Sequence, residues 1–221
     1  MSTLLFRLVG PMQSWGTRGR FDLRDTESDP TKSGVVGLIA CAMGIDRALD
    51  VSHLAALTMG VRVDRRGVQS VDYQTARMSR KVVPSRRDDT SQTWRSYLAD
   101  AAFLVAMHGD RVLLEDVHAA LADPRWPLCL GRKSYVPSLP VAMPSMEIAL
   151  SDADLRTALI TCPPIVHGCE ATVMTVVLEG PWSDRSIERR DVPLRTFAER
   201  RFGIRYCTYE TTSAPEGEVI P

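Results

Sequence analysis

Apolar segments alternate with polar stretches along the first part of the chain, and their spacing predicts a series of strands and helices. Residues 3–9 and 98–108 are apolar runs of strand length, and residues 61–64 show the alternation of a strand. Residues 34–44 and 112–121 place apolar side chains three and four positions apart, which is typical of helices that bury one face. The pattern therefore predicts three strands and two helices.

Two weaker signals complete the order of elements and decide the fold class. Residues 51–59 are expected to form a short helix or turn, and residues 128–131 a last short strand. The order becomes strand, helix, strand, long excursion, strand, helix, strand, which is the split βαβ order of ferredoxin-like domains and of RRM-type RNA-binding proteins. We therefore predict an α+β fold with a ferredoxin-like core over residues 1–135, from which residues 70–97 leave as a projecting hairpin.

The remaining residues, 136–221, form a separate C-terminal part in this prediction. Prolines at positions 137, 140 and 144 mark the connector. A helix is expected at residues 152–160 and a strand at residues 171–178, and residues 211–221 have the composition of a frayed tail.

The balance of basic and acidic residues limits how this chain could bind a nucleic acid. With 27 basic and 27 acidic residues the formal net charge is zero, so a phosphate-binding surface has to come from local clustering. The basic residues comprise 24 Arg and three Lys. Arginine binds phosphate as a fork and stacks on bases, which suits RNA, although GC-rich codon usage produces the same excess.

Targeting signals and cysteine usage point to the cytoplasm. No apolar run approaches the length of a membrane span, and the N-terminus lacks the cleavage site of a signal peptide. The five cysteines are scattered, which fits reduced thiols better than a disulfide framework. We therefore expect a cytoplasmic protein with no membrane partner.

Two stretches near the N-terminus predict a surface for single-stranded nucleic acid. In the first, an apolar strand stops at a Gly-Pro break and is followed by Gln13, Ser14 and Trp15. In the second, a polar turn with Lys32 opens the first helix, where free backbone N–H groups and the helix dipole favour anions.

The turn before the first helix has two interpretations. A Walker phosphate loop is not expected, because Thr occupies positions 26 and 31, where that motif needs Gly. A generic anion contact at Lys32 remains, and its alternative is that Thr31 or Ser33 simply caps the helix.

Two further segments carry basic residues next to aromatic ones. The excursion is rich in Arg, and its Tyr73, Met78 or Trp94 could wedge between bases or stack on them. The alternative is a disordered charged loop, with Trp94 and Tyr97 anchoring its base on the core. Residues 131–135 have the sequence Gly-Arg-Lys-Ser-Tyr, in which Gly lets the backbone come close to a ligand. The two cations and a hydroxyl then offer contacts to phosphate, and the alternative is a charged turn exposed to solvent.

Signals for metal sites and for a further cationic surface are weak. Cys162, His167 and Cys169 lie close in sequence but lack the paired spacing of a zinc finger, so no metal or other cofactor is expected. His118 adjoins an apolar helix stripe and is interpreted as structural. A second group of Arg, diluted by acidic residues, is expected to form a mixed surface or a subunit contact and comprises Arg185, Arg189, Arg190, Arg195, Arg200, Arg201 and Arg205.

Four stretches together resemble one protein family. They are LVGPMQSWG at residues 8–16, PTKSGVVGL at 30–38, QTWRSYLADA at 92–101 and LGRKS at 130–134. This set is similar to the signature of the CasD family, the small RAMP-type subunit of type I-E CRISPR Cascade. The resemblance implies a modified ferredoxin-like fold with a thumb, which the excursion matches by position, and a β-rich C-terminal part.

The resemblance also implies a function. The family holds the 5′ handle of the CRISPR RNA and caps one end of a ribonucleoprotein, beside the backbone subunit and the large subunit of Cascade, with target DNA bound in the assembled complex. No cofactor is implied. The residues expected at the RNA are Gln13, Ser14, Trp15, Arg24, Thr31, Lys32, Ser33, Arg77, Met78, Arg80, Lys81, Arg132, Lys133 and Ser134.

An enzymatic alternative comes from one branch of the wider family, the metal-independent endoribonuclease of type I-C systems. Its chemistry needs a base for the 2′-OH and an acid for the leaving 5′-oxygen, and that branch carries a Lys-His pair near the end of the core. Here Lys133 is followed by Ser134, so we predict no catalysis. The alternative would use Tyr135 or Tyr73 with Lys133 or His108.

Overall fold

A computed structural model describes residues 1–19, 22–77, 90–167, 173–215 and 217–220. Within these residues the chain forms eleven strands and five helices. The strands are β1 (Ser2–Val9), β2 (Met12–Gln13), β3 (Leu23–Arg24), β4 (Thr58–Arg65), β5 (Val68–Arg77), β6 (Thr90–Ala99), β7 (Ala102–Gly109), β8 (Leu150–Ser151), β9 (Val173–Gly180), β10 (Ile187–Pro193) and β11 (Phe202–Ser213). The helices are α1 (Lys32–Met43), α2 (Ser52–Ala55), α3 (Arg111–Ala122), α4 (Met146–Ala149) and α5 (Leu155–Thr161).

Seven strands form one antiparallel sheet in the order β10-β11-β9-β4-β7-β1-β8. Strands β1 and β4 are parallel to each other and lie on either side of β7, with α1 and α2 between them in the chain. Strands β7 and β8 likewise lie on either side of β1, with α3 and α4 between them in the chain. Two split βαβ units therefore build the centre of the sheet, and the predicted α+β class is confirmed.

The centre of this sheet is apolar because both of its faces are covered. All eight residues of β1 are buried, and β7 is buried from Ala102 to Met107. Helix α3 packs on β1 and β7, and α5 packs on β4 and β7. A strand that is covered on both faces appears in a sequence as a continuous apolar run rather than as an alternation of apolar and polar residues. This explains the apolar runs at residues 3–9 and 98–108.

Both of the longer predicted helices are confirmed, and capping side chains set where they begin. Thr31 accepts a hydrogen bond from the Gly34 N–H at the start of α1, and Asp110 accepts one from the Leu113 N–H at the start of α3. Asp154 caps α5 in the same way, so this helix begins later than its sequence pattern predicts.

The predicted last strand at residues 128–131 is wrong. Leu130 lies in a turn, where its N–H donates to the Tyr135 carbonyl at 2.7 Å and its own carbonyl accepts from the Ser14 N–H at 3.0 Å. The place beside β1 is taken by β8, with a further isolated bridge at Ala142. A strand of two residues carries too short a pattern to be detected in a sequence.

A separate four-stranded sheet contains the predicted excursion. Strands β5 and β6, which we call the ribbon, pair antiparallel from Val68 opposite Ala99 to Arg77 opposite Thr90. The short strands β2 and β3 also pair with β6, antiparallel and parallel respectively. Residues 78–89 lie outside the described residues.

The C-terminal strands β9, β10 and β11 extend the large sheet beyond β4. Both sides of the predicted boundary at 135/136 therefore share one sheet, and a division into two units stays a prediction. The frayed tail expected at 211–221 is wrong at both of its described ends, while residues 214, 215 and 217–219 lie outside regular secondary structure. Its first residues belong to β11, and Ile220 is buried, with its N–H bonded to the Pro164 carbonyl and its own carbonyl accepting from Arg7.

Other predicted elements are found with shifted bounds. Strand β4 extends the strand predicted at 61–64, α2 is a single turn within 51–59, and residues 98–108 divide between β6 and β7. Strand β9 accounts for the described part of the strand predicted at 171–178. In the part of the chain that the structure describes, no helix has both the length and the apolar character needed to cross a membrane.

Candidate nucleic-acid interface

One face of the ribbon is polar and lies against a turn. Arg24 of β3 lies opposite Arg95 of β6, which lies opposite Asp72 of β5. Because side chains alternate along a strand and register partners share a face, these three side chains lie on one face. The turn of residues 131–135 packs against the same face, where the Tyr135 ring meets Tyr97.

We call the cavity between this turn and the ribbon the cationic groove. Its volume is about 500 Å³. Four of its lining residues are basic and one is acidic. The lining residues are Arg24, Asp72, Gln74, Arg95, Gly131, Arg132, Lys133, Ser134 and Tyr135.

The shape of the turn depends on Gly131. Its φ of 92° is left-handed, a conformation that side chains disfavour. A Cβ atom at this position would lie 1.8 Å from the Ser14 carbonyl oxygen, which is far inside contact distance. The turn therefore approaches Ser14 closely only because position 131 has no side chain, and this approach sets where Arg132 and Lys133 lie.

Arg132 is held in place by the protein itself. Its Nη1 donates to the Tyr135 hydroxyl at 2.8 Å, and its Nη2 donates to the Ser96 carbonyl at 2.9 Å. The guanidinium lies 5.4 Å from the centroid of the Tyr135 ring, and that ring packs on Tyr97 with the centroids 6.0 Å apart. These bonds use two of the five N–H donors of the guanidinium, so the side chain is preorganised to offer the others to an anion.

The cationic groove keeps most of its positive charge. Arg24, Arg95, Arg132 and Lys133 form no ion pair with any carboxylate of the described residues. Asp72 accepts a hydrogen bond from a neighbouring amide of β5 instead. Guanidinium forks match phosphate oxygens, and closely spaced cations without carboxylate partners favour a polyanion such as RNA.

Part of the predicted set of RNA-binding residues is therefore brought together. Arg24, Arg132, Lys133 and Ser134 all line the cationic groove, and their contact with RNA stays a prediction. Arg95 joins them and was not singled out from the sequence. Its signal is the alternation of β6, but only the pairing of β6 with β3 and β5 shows which face Arg95 shares.

Three other predicted contacts are wrong because their side chains lie inside the protein. Trp15 is 1% exposed, and its Nε1 donates to Gln13 Oε1 at 3.2 Å. Gln13 Nε2 donates in turn to the carbonyls of Leu8 at 3.0 Å and Ala101 at 2.8 Å. Ser14 is also buried, and its hydroxyl faces the backbone of β6. These side chains tie the loop after β1 to the core and do not face solvent.

The anion site expected at the start of α1 is wrong as well. Thr31 is buried as the N-cap, which is the alternative interpretation, whereas Ser33 is half-buried and its contact with RNA stays a prediction. Lys32 points inward, with Nζ 2.7 and 2.9 Å from the two carboxylate oxygens of Glu179. Its backbone N–H donates to the Asp191 carboxylate at 2.9 Å. Burial lowers the pKa of Lys32 more than Glu179 raises it. Protein carboxylates therefore occupy the helix start.

The predicted contacts at the far end of the ribbon are only partly described. Arg77 is the last residue of β5. Met78, Arg80 and Lys81 lie outside the described residues. The contact of all four with RNA stays a prediction.

The two aromatic side chains considered as anchors of the ribbon differ. Tyr97 anchors the ribbon on Tyr135 beside the cationic groove. Trp94 is 41% exposed on the opposite face, where its ring meets Tyr73. Anchoring by Trp94 is therefore wrong.

The C-terminal group of Arg is divided between the surface and the interior. Arg189 and Arg205 are buried, which corrects the expectation of a mixed surface, while the other five are exposed. The buried pair belongs to a set of ionic and polar side chains that we call the buried ion network. Its members are Asp29, Lys32, Glu179, Arg189, Asp191 and Arg205, and the partly exposed Tyr209 lies at its edge.

Each cation of the buried ion network forms an ion pair with a carboxylate of the same network. Arg205 places Nε and Nη2 at 2.7 and 2.9 Å from the two Asp191 oxygens, and Arg189 bonds to Asp29 and to the Tyr209 hydroxyl. Burial lowers the pKa of Arg205, but the hydrogen bond and charge of Asp191 outweigh it and the pKa is raised. Burial, followed by the charge of Asp29, raises the pKa of Tyr209 to about 12. These cations are engaged by the protein and are not presented to a ligand.

Of the groups considered for ribonuclease chemistry, Tyr135 and Lys133 line the cationic groove together, whereas Tyr73 and His108 lie elsewhere. His108 bonds to Thr3 at 2.9 Å near the end of β7, about 20 Å along the strand from Ala102, where β7 begins beside the ribbon. Tyr73 lies on the face of the ribbon opposite the groove that Lys133 lines. The combination of Tyr73 with Lys133 and the combinations of either Tyr with His108 are therefore wrong, while that of Tyr135 with Lys133 stays an alternative.

Groups that could bind a metal are also sparse. Among the described residues, no three His, Cys, Asp or Glu side chains are grouped so that they could hold a metal ion. Burial raises the pKa of the Cys162 thiol to about 11, and Cys169 lies outside the described residues. His118 is buried in α3, where burial lowers its pKa.

Comparison with known sequences identifies the class of protein. The family model described as CRISPR-associated protein Cas5, of the Cas5d type, matches residues 3–208. The chain is 34% identical over 181 residues to the CRISPR system Cascade subunit CasD of Escherichia coli strain K12. This alignment covers 74% of this chain and 78% of that protein.

Solved structures agree with the sequence comparison. A crystal structure of a Cas protein is 47% identical, with a TM-score of 0.79 over 97% of this chain and 98% of that one. A chain of a CRISPR RNA-guided surveillance complex is 33% identical, with a TM-score of 0.80 over 96% of this chain and 91% of that one. The chain belongs to the Cas5 family of CRISPR-associated proteins, and the resemblance to the CasD family is confirmed.

Proposed function

We propose that this chain is a non-catalytic subunit of a Cascade-type, CRISPR RNA-guided surveillance complex and that its cationic groove binds the 5′ handle of the CRISPR RNA. The relatives named above support membership of such a complex, since one is a Cascade subunit and another is a chain of a surveillance complex. The complex works in the cytoplasm, where the RNA and the target DNA meet.

The observation that carries the RNA-binding part is the cationic groove. Four cations from three separate segments of the chain converge there, and none of them has a carboxylate partner among the described residues. One of them, Arg132, is fixed in place by hydrogen bonds to Tyr135 and Ser96 before a ligand arrives. Fixed, unpaired guanidinium groups beside an open groove favour a phosphate backbone over a neutral ligand.

The topology supports the same proposal. The split βαβ units around β1 and β7 correspond to a ferredoxin-like core of the RAMP type, with β8 in the place of the last strand. The ribbon then corresponds to the thumb. A domain that holds the handle in this way caps one end of the RNA filament and contacts the backbone subunit and the large subunit.

A binding role fits the chemistry of the groove better than an enzymatic one. Cleavage without a metal needs an acid and a base on either side of the scissile phosphate. The Tyr135 hydroxyl accepts a hydrogen bond from Arg132 and its ring is buried, and none of the described residues that line the groove is a His. The groove therefore supplies charge and position, and of its candidate pair, Tyr135 and Lys133, the Tyr135 hydroxyl is already engaged by Arg132.

The test is a gel of the purified full chain with end-labelled CRISPR repeat RNA in EDTA, read for both mobility and RNA length. We expect a shifted band of intact RNA. The double variant Arg132→Ala/Lys133→Ala should bind at least about tenfold more weakly, because charge-assisted hydrogen bonds to phosphate are lost. The matched control is Arg111→Ala/Arg156→Ala, which removes two exposed cations that are paired on another surface.

Two results would contradict the proposal. Equal RNA affinity of the Arg132/Lys133 variant and the control variant would remove the groove from the binding surface. A discrete shorter RNA product from the wild-type chain, absent with Lys133→Ala, would make this protein a processing nuclease.

A further inference from the structure

The face of the ribbon that points away from the cationic groove is apolar and exposed. Leu23 of β3, Trp94 of β6 and Tyr73 of β5 are register partners in neighbouring strands and so share this face, and Val71 lies two residues before Tyr73. Tyr73 is 52% and Trp94 41% exposed. We call this surface the aromatic face.

The aromatic side chains of this face form a defined pair. The rings of Tyr73 and Trp94 have centroids 5.5 Å apart and planes inclined by 53°, so each limits the rotation of the other. An open groove of about 820 Å³ lies beside Trp94 and is also lined by Leu23 and Val71. The comparison with Trp15, which is packed and hydrogen-bonded inside the core, shows that Trp94 does not serve the core in the same way. An exposed cluster of large apolar side chains marks a binding surface.

Positive charge borders this apolar groove. Arg18 and Arg24 line it together with Trp94. The acidic residue of the lining, Asp25, is turned to the backbone, where its oxygens accept from the N–H groups of Arg18 and Gly19 at 2.9 Å each. The groove thus combines a flat aromatic surface with guanidinium groups, which is the combination that holds an unpaired base and its phosphate.

The aromatic face is continuous with the cationic groove. Arg24 lines both cavities, because β3 forms a short edge between the two faces of the ribbon. A phosphate at Arg24 therefore leaves the attached nucleotide within reach of Trp94. A purely apolar protein partner would not need the two arginines, so the charge and the continuity favour a nucleotide.

We infer that the aromatic face is a stacking site for one unpaired base of the RNA strand whose phosphates occupy the cationic groove. This inference rests on the proposed function and adds a base contact to it. Trp94 supplies the stacking surface, Tyr73 limits the rotation of its ring, and Arg24 holds the phosphate at the crossing between the two faces. Because every base has a π-face, the site selects an unstacked base rather than a particular sequence.

The test replaces each base of the bound RNA in turn by 2-aminopurine, whose fluorescence is quenched by stacking. We expect one position at which the fluorescence is quenched in the wild-type complex and rises severalfold in Trp94→Leu. The same variant should bind RNA about tenfold more weakly, because stacking on an aromatic side chain is lost. The salt dependence of binding should not change, because no phosphate contact is removed.

Two further variants keep the test specific. Trp94→Phe keeps an aromatic ring and should restore most of the quenching. Trp182→Leu removes another exposed Trp, in the segment between β9 and β10, and should change neither quenching nor affinity.

The outcomes separate this inference from the proposed function. If Arg132→Ala/Lys133→Ala weakens RNA binding while Trp94→Leu changes neither affinity nor fluorescence, the stacking site is refuted and the proposed function stands. If Trp94→Leu instead impairs assembly with partner subunits and leaves RNA binding intact, the aromatic face is a protein-docking surface and the inference is also overturned. If the wild-type chain and its complex do not bind the RNA, both proposals fail.

Discussion

The two groups of basic residues in this protein have opposite environments. In the cationic groove, Arg24, Arg95, Arg132 and Lys133 face a cavity and have no carboxylate partner among the described residues. In the buried ion network, Lys32, Arg189 and Arg205 are enclosed and matched by Asp29, Glu179 and Asp191. The first group is arranged to receive an external anion, whereas the second already has its anions inside the fold.

A basic residue therefore indicates a phosphate site only when its partners in the folded chain are known. Lys32 stands in the kind of helix-start turn that binds anions in many proteins. Its partner Glu179 is 147 residues away in the chain and occupies that role from within. Arg132, in a short turn with little sequence context, is the residue that faces a groove.

The largest effect is expected when the buried ion network is broken. Asp191→Asn leaves Arg205 and Arg189 facing an uncharged amide inside the protein. Removing one partner of a buried ion pair costs about 3–5 kcal/mol, and urea unfolding of the full chain measures it. Glu210→Gln, which breaks the exposed pair with Arg156, is the matched control and should cost less than about 1 kcal/mol. Equal losses of unfolding free energy in the two variants would show that the network pairs contribute no more to stability than exposed pairs do.

The next effect concerns the turn that shapes the cationic groove. Gly131→Ala places a methyl group against the Ser14 carbonyl and forces a left-handed residue to carry a side chain. We expect a loss of about 1–3 kcal/mol in unfolding free energy, together with weaker RNA binding because Arg132 and Lys133 move. Thermal unfolding and RNA titration of the same preparation check both effects. Normal affinity in a destabilised variant would show that the groove does not need this geometry.

A smaller effect is expected in the salt dependence of RNA binding. The Arg132→Ala/Lys133→Ala variant should flatten the slope of log K against log salt by about 1.4, because each phosphate contact to single-stranded RNA contributes about 0.7. Arg111→Ala/Arg156→Ala should leave the slope as in the wild type. An unchanged slope in the first variant would mean that these two residues contact no phosphate.

The smallest effect is a pH dependence of the network. Burial acts to raise the pKa of Asp191, but the hydrogen bond and charge of Arg205 outweigh it and hold the pKa below the ordinary value of 3.8. An acid whose pKa is depressed in the folded state stabilises that state above its unfolded pKa, and the contribution is lost as pH falls through the folded-state pKa. The gap in unfolding free energy between wild type and Asp191→Asn should therefore be constant above about pH 5 and narrow below it. A gap that widens in acid would contradict this assignment.

The elements that could be predicted from the sequence are those with local signals. Strand β1 and helices α1 and α3 have long apolar patterns and clear caps, so their positions follow from spacing alone. Strand β8, with two residues, has no such pattern, and its place beside β1 depends on contacts across about 150 residues of chain.

The candidate site was only partly predictable for the same reason. Arg132 and Lys133 were found because Gly131 marks a close backbone approach in the sequence. Trp15 and Trp94 both stand in polar surroundings in the sequence, yet one is sealed in the core and the other is exposed. Only the three-dimensional pairing of β6 with β3 and β5 separates the two faces of the ribbon.

Arginine modification with phenylglyoxal, followed by peptide mapping with and without bound CRISPR RNA, tests the comparison of the two groups most directly. Arg95 and Arg132 should react in the free chain and be protected by the RNA. Arg189 and Arg205 should stay unreactive in both states, and exposed Arg156 should react in both. Protection of Arg156 with continued reaction of Arg95 and Arg132 would contradict the assignment of the cationic groove as the RNA-binding surface.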